Sequence, residues 1–198
     1  LHSLRRRQRQ MCIRDSYITG YNYFYLNYCP IQRIVYKNKK NKQGQEELIK
    51  VRELAFPDFY DYDYYYFQAI ESAQDQGKHL CVAKARRKGY SYKGGSMLCR
   101  NFFLIPGSKS YVYASNKQYL TDDGILTKAW DYMDFIDENT AWGKKRQAVN
   151  TSMRRRASMI VTDNFGNKIE VGYKSEIIGV SLKDHPDAVR GKAGMLIL

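Results

Sequence analysis

The chain has 198 residues, with 33 Lys and Arg against 20 Asp and Glu and a formal net charge of +13. That length suits one α/β domain with a buried core, the basic balance points to a polyanionic partner, and the absence of any apolar run of about 18 residues excludes a helical membrane span. With Cys12 set aside as part of the foreign segment described next, Cys29, Cys81 and Cys99 are an odd number without metal-ligand spacing, so no zinc site is suggested and free buried thiols in a reducing compartment are expected.

In chain order, Arg6 to Ser16 reads as the translation of a transposase adapter used in preparing sequencing libraries, so residues 1–16 are expected to be disordered and foreign to the fold rather than a basic targeting arm. Setting them aside leaves 28 basic against 19 acidic residues, a formal charge of +9. The gene product is then expected to begin upstream of Tyr17. The finish inside the apolar run Gly194 to Leu198 suggests truncation at the other end too.

Residues 17–53 form an aromatic-rich cap. Tyr17 to Pro30 favours a strand or compact cap over a helix, Ile31 to Tyr36 a strand, and the polar run Lys37 to Glu47 an exposed loop. Residues 54–198 carry the main domain. Leu54 to Tyr66 interleaves aromatics with Asp58, Asp61 and Asp63; these rings form a hydrophobic seam or, alternatively, stack on a base. A helix is expected over Tyr64 to Gln76, closed by Gly77.

Downstream, His79 to Lys84 reads as a short apolar strand and Tyr92 to Phe103 as a helix, with Pro106-Gly107 at its exit. A strand over Ser110 to Ser115 and a helix over Lys117 to Ile136 continue the alternation that a parallel sheet requires. Ser158 to Thr162 and Lys168 to Gly172 flank Asp163 to Asn167 as a hairpin, and Glu176 to Leu182 adds another strand. The basic stretch Lys144 to Arg156 reads equally as a nucleic-acid backbone contact or a solvated loop. The many aspartates, including Asp122, Asp123, Asp131 and Asp134, lack a partner set for nuclease chemistry, and His79 and His185 lie in no nucleophile setting.

The most informative segment is Lys84-Ala85-Arg86-Arg87-Lys88-Gly89-Tyr90-Ser91, between the expected strand and helix. In the phosphate-loop pattern G-x-x-x-x-G-K-[ST], backbone N–H groups wrap the phosphates, a Lys reaches the outer ones and a hydroxyl ligates Mg²⁺. Gly89 and Ser91 keep the last glycine and the hydroxyl. Tyr90 replaces the Lys, while Lys84 replaces the first Gly, so the cation has moved along the loop. Arg86 and Arg87 add guanidinium forks suited to phosphate oxygens. The plainer alternative is a basic turn between strand and helix.

This loop, with its lysine at the front and G-Y-S at the back, resembles the deviant Walker A loop in the ATPase half of tailed-bacteriophage terminase large subunits. The resemblance covers Tyr17 to Leu198. It implies an α/β fold of the P-loop NTPase three-layer type, with a mainly parallel sheet truncated before completion plus a β-hairpin. It also implies ATP and Mg²⁺ as cofactors. Lys84 would contact phosphate, Arg87 would sense the outer phosphate, Gly89 would turn the chain and Ser91 would hold Mg²⁺. Phe67 and Gln68 would stand where the family contacts adenine. Gly194 to Leu198 would approach a Walker B strand whose acidic pair lies beyond Leu198, so this fragment is expected not to turn over ATP.

The implied partners are double-stranded DNA, a terminase small subunit, a portal protein and further copies of the chain, with no membrane. The implied location is the cytoplasm of an infected bacterium, transiently at the prohead portal. Two other readings stand beside this one. A helicase-like P-loop ATPase of another lineage would differ in the residues beyond the acidic pair. A non-catalytic single-strand binder would use its Tyr residues to stack bases beside Lys and Arg.

Overall fold

A computed structural model of the chain describes residues 18, 20–40, 46–86, 88–140, 147–183 and 186–198. The expectations for residues 1–16, and for Lys144, Lys145, Arg146 and His185, lie outside these residues. The chain divides into two compact units, residues 1–69 and 70–198.

In the first unit, helix α1 (Gly20–Tyr28) replaces the expected strand or cap. Aromatics favour strands in isolation, but Tyr21, Phe24 and Tyr25, three and four residues apart, share a helical face and are exposed by 3% or less. The Tyr21 and Tyr25 rings meet Phe67 at 6.4 and 5.7 Å. Burial of that stripe outweighs intrinsic β preference. Strand β1 (Ile31–Lys40) pairs antiparallel with β2 (Glu46–Ala55) in unbroken register from Ile31↔Ala55 to Lys40↔Glu46. Most of the expected loop over Lys37 to Glu47 is therefore strand, and β2 has no counterpart among the sequence expectations. Its polar composition hides an alternation in which Ile49, Val51, Glu53 and Ala55 turn to the half-buried face.

Helix α2 (Asp61–Asp75) begins in the first unit and ends in the second, where Gly77 at φ 63 closes it with the Lys78 N–H on the Ala73 carbonyl at 2.8 Å. Then come α3 (Tyr90–Leu104), β3 (Lys109–Ala114), α4 (Gln118–Thr121), α5 (Ile125–Asn139), β4 (Gln147–Asn150), β5 (Arg154–Thr162), β6 (Lys168–Ser181), a 3₁₀ turn at Pro186–Val189 and β7 (Leu196–Ile197). One expected helix is two. Asp123 at φ 59 interrupts it, and a Cβ on Gly124 would lie 2.3 Å from the Tyr119 carbonyl oxygen, so only glycine fits there.

The second unit is α/β around one sheet, ordered β4-β5-β6-β3-β7. Strand β3 runs parallel to both β6 and β7, whereas β4/β5 and β5/β6 are antiparallel. The sheet is mixed, which corrects the expectation of a mainly parallel one. The cause is local: the Asp163 carboxylate accepts from the N–H groups of Phe165 and Asn167 at 2.8 Å each, and Gly166 takes φ 83. That tight turn forces β5 and β6 antiparallel. The strand expected over Glu176 to Leu182 is the continuation of β6 past an irregularity opposite Ala157 and Met159. The core holds Leu98, Cys99, Val112, Leu126, Ile136 and Ile177, none more than 1% exposed.

The strand expected over His79 to Lys84 does not form. The segment pairs with none of the described strands and is exposed throughout, Leu80 at 44% and Val82 at 38%. Alternating apolar residues make a strand only when a neighbouring backbone completes the ladder. Cys81 is consequently exposed, while Cys29 and Cys99 are buried, and burial raises Cys99 well above the ordinary thiol range. Strand β7, expected as the approach to a central strand, pairs with β3 alone among the described strands. Among the described residues no helix is long and apolar enough to cross a membrane.

Candidate functional site

Helix α3 starts where it does because Gly89 takes the left-handed conformation, φ 69 and ψ 19, which disfavours side chains with a Cβ. The Gly89 carbonyl accepts the first helical hydrogen bond from the Lys93 N–H at 3.1 Å. No side chain caps this end. The amides of the first turn, which includes Tyr90 and Ser91, stand at the positive end of the helix dipole. The rest of α3 is anchored, with Lys93 through Cys99 all buried, so the amide end is held on a rigid element.

Lys84 lies at the other end of the loop, and its ammonium is 5.3 Å from the centroid of the Tyr90 ring. The two positions that depart from the ordinary phosphate-loop pattern are therefore in contact. Lys84, Ala85, Arg86 and Lys88 are exposed; Gly89, Tyr90 and Ser91 are half-buried. Arg87 lies outside the described residues. The arrangement gathers cationic groups, a hydroxyl and helix-terminal amides in one short segment, a combination suited to a phosphate chain.

Two residues along α3 from Tyr90, Tyr92 is covered by the Lys128 ammonium, 4.8 Å from its ring centroid, and Lys128 also pairs with Asp123. Burial opposes the Lys128 charge, but the Asp123 hydrogen bond, Tyr92 and Asp131 outweigh it and raise its pKa; burial raises that of Asp131. Sequence alone gives Asp123 and Asp131 no partner. The helix break at Gly124, which brings Asp123 onto Lys128, carries no motif.

Phe67 is 1% exposed, against Tyr21, Tyr25 and the Tyr66 ring at 5.2 Å, so as packed it belongs to a hydrophobic seam. Its neighbour Gln68 is exposed. On the same helix Tyr62 and Tyr65 are 52% and 64% exposed, and Tyr62 stacks on Tyr60 at 5.3 Å.

The arginines of the expected basic loop sit on β5 and are engaged within the chain. Arg154 Nε and Arg156 Nη1 donate to Glu176, itself 2% exposed, at 2.6 and 3.2 Å. Arg156 Nη2 donates to Glu170 at 2.7 Å. The Arg155 guanidinium lies 4.4 Å from the Trp130 ring centroid and 3.5 Å from Asp134. At Arg154 to Arg156 the stretch is therefore strand rather than the solvated loop expected as one of its two readings.

Among the described residues no group of three or more His, Cys, Asp or Glu side chains could hold a metal ion. No protein-family model, curated protein or solved structure matches the chain.

Proposed function

We propose that Lys84 to Ser91 binds the phosphates of a nucleoside triphosphate, and that the chain is part of an ATP-driven DNA-translocating motor of the terminase large-subunit kind. The contact of the Lys84 ammonium with the Tyr90 ring carries this reading. The ammonium thus lies against the first residue of a helix opened by a left-handed glycine, an arrangement that supports phosphate binding there. ATP fits this donor set. Lys84, Arg86 and the α3 amides would hold the phosphates, with Arg87 as the candidate for the outermost one. The Ser91 hydroxyl would hold Mg²⁺. When bound, the Mg²⁺–triphosphate supplies the phosphoryl-transfer chemistry that drives translocation.

Duplex DNA, a small subunit, a portal and further copies of the chain are the partners this reading assigns to the whole motor, working in the cytoplasm of an infected bacterium. The test is binding of a fluorescent ATP analogue with Mg²⁺. Lys84→Ala should weaken it about 10-fold or more, as expected for a charge-assisted contact of about 1.5–3 kcal/mol. Unchanged affinity would remove the lysine assignment. The exposed Tyr60–Tyr62 stack favours the second reading, a single-strand binder. Tight oligonucleotide binding by a chain with no affinity for ATP would select it.

A further inference from the structure

We propose that the outward face of the β1–β2 ribbon is a docking surface for duplex DNA. The pairing register divides the ribbon into two faces. One carries Arg33, Val35, Ile49, Val51 and Glu53 and is half-buried; the other carries Ile34, Tyr36, Leu48, Lys50, Arg52 and Leu54 and is exposed. On the exposed face Lys50 lies directly opposite Tyr36, and Arg52 directly opposite Ile34. The rings and methyls are well out in solvent, Tyr36 and Leu48 at 66%, Leu54 at 58% and Ile34 at 48%.

The cations of the two faces are treated differently. On the half-buried face Arg33 is held by Asp58 at 3.0 Å and Lys37 by Glu53 at 2.7 Å. On the outward face Lys50 and Arg52 have no ion pair among the described residues. The described strands carry six cations against three carboxylates. Lys50 and Arg52, standing beside exposed apolar groups with Glu46 as the one carboxylate of the described outward face, suit a polyanion that also offers an apolar edge. A two-stranded ribbon fits the major groove, and strands of this length span roughly 30 Å at about 3.4 Å per residue, about one duplex turn. Lys50 and Arg52 would then meet backbone phosphates while Ile34 and Tyr36 face base edges, giving tight but sequence-tolerant binding.

The choice of duplex DNA over other polyanions rests on the function proposed above. The test is fluorescence anisotropy of a labelled mixed-sequence duplex with the full 198-residue chain, titrated at several salt concentrations. Lys50→Gln/Arg52→Gln removes both charges while keeping an unbranched polar side chain at exposed positions. It should weaken binding about 10-fold at low salt and reduce the slope of log K against log salt by about 1–2. It should leave the melting temperature and ATP-analogue affinity unchanged. Lys117→Ala/Lys168→Ala removes the same charge elsewhere and should change affinity less than about 2-fold.

Equal losses from the two pairs, or none from the ribbon pair, would overturn the ribbon assignment while leaving the motor reading standing. A Tyr36→Ala loss confined to a single-stranded probe would overturn it in favour of base stacking. A wild-type chain that ignores the duplex would overturn both the DNA reading and this surface, whatever its affinity for ATP.

Discussion

Glu170 carries the most explicit electrostatic consequence of any single residue. The Arg156 guanidinium, and after it the Ser158 hydroxyl at 2.6 Å, hold its carboxyl down to about 2 from an ordinary 4.5. A carboxylate with a depressed folded pKa contributes stability that is complete above the unfolded value and is lost as pH falls through the folded one. Melting temperature should therefore fall between about pH 4.5 and 2, and Glu170→Gln should flatten that fall; circular-dichroism melts of both chains across the window decide it. Asp163, also depressed by the turn amides it accepts from, contributes in the same direction and remains in the variant. At this scale Lys84, Gly89 and Ser91 were legible because they form a spaced pattern. The Arg156–Glu170 and Lys128–Asp123 pairs were not, because no local spacing announces a contact made across strands or around a helix break.

Helices α3 and α5 approach through glycine. A Cβ on Gly95 would come within 2.9 Å of Lys128 Cβ and 3.0 Å of the Ala129 nitrogen, whereas on Gly94 it would make ordinary contacts at 3.4 Å with Ile125 and Leu198 side chains. Alanine at either position gains about 1 kcal/mol of helix propensity. Only at Gly95 must a neighbouring helix move, at about 1–3 kcal/mol. Urea denaturation should accordingly find Gly94→Ala neutral to about 1 kcal/mol more stable and Gly95→Ala less stable than the parent chain. Equal effects would mean that the helices are not in close contact at Gly95. Helices α2 and α3, strand β3 and the β5–β6 hairpin could be read from periodicity and turn residues. Helix α1 could not, because its aromatics are helical only through the burial of one face against Phe67.

Across the whole molecule, order is distributed unevenly. From Asp75 to Arg86 every described residue is exposed, whereas the core about Leu98, Val112 and Ile177 is sealed. Amides of 79–86 should exchange within seconds and those of Leu98 and Val112 orders of magnitude more slowly; among the described residues, limited trypsin should cut at Lys78, Lys84 or Arg86 before any site in the core about Leu98 and Val112. Strong protection of 79–86 would mean that this segment pairs with a backbone in solution. The phosphate-loop reading accommodates exposure, since a loop that must take up a ligand belongs among the less stable parts of a fold.

The basic character, the α/β alternation, the Asp163–Asn167 turn and the loop from Lys84 to Ser91 follow from the sequence alone, because each depends on residue type at short spacing. Tertiary structure decided the rest. It joined the β5–β6 hairpin to β3 in one sheet, left His79 to Lys84 without a ladder partner among the described strands, and turned a tyrosine-rich segment into a helix; it also paired Arg154 to Arg156, Arg33 and Lys37 within the chain while leaving Lys50 and Arg52 without an ion pair among the described residues. Those outcomes turn on which backbone edge or buried face lies alongside, a long-range fact that short-range patterns do not encode.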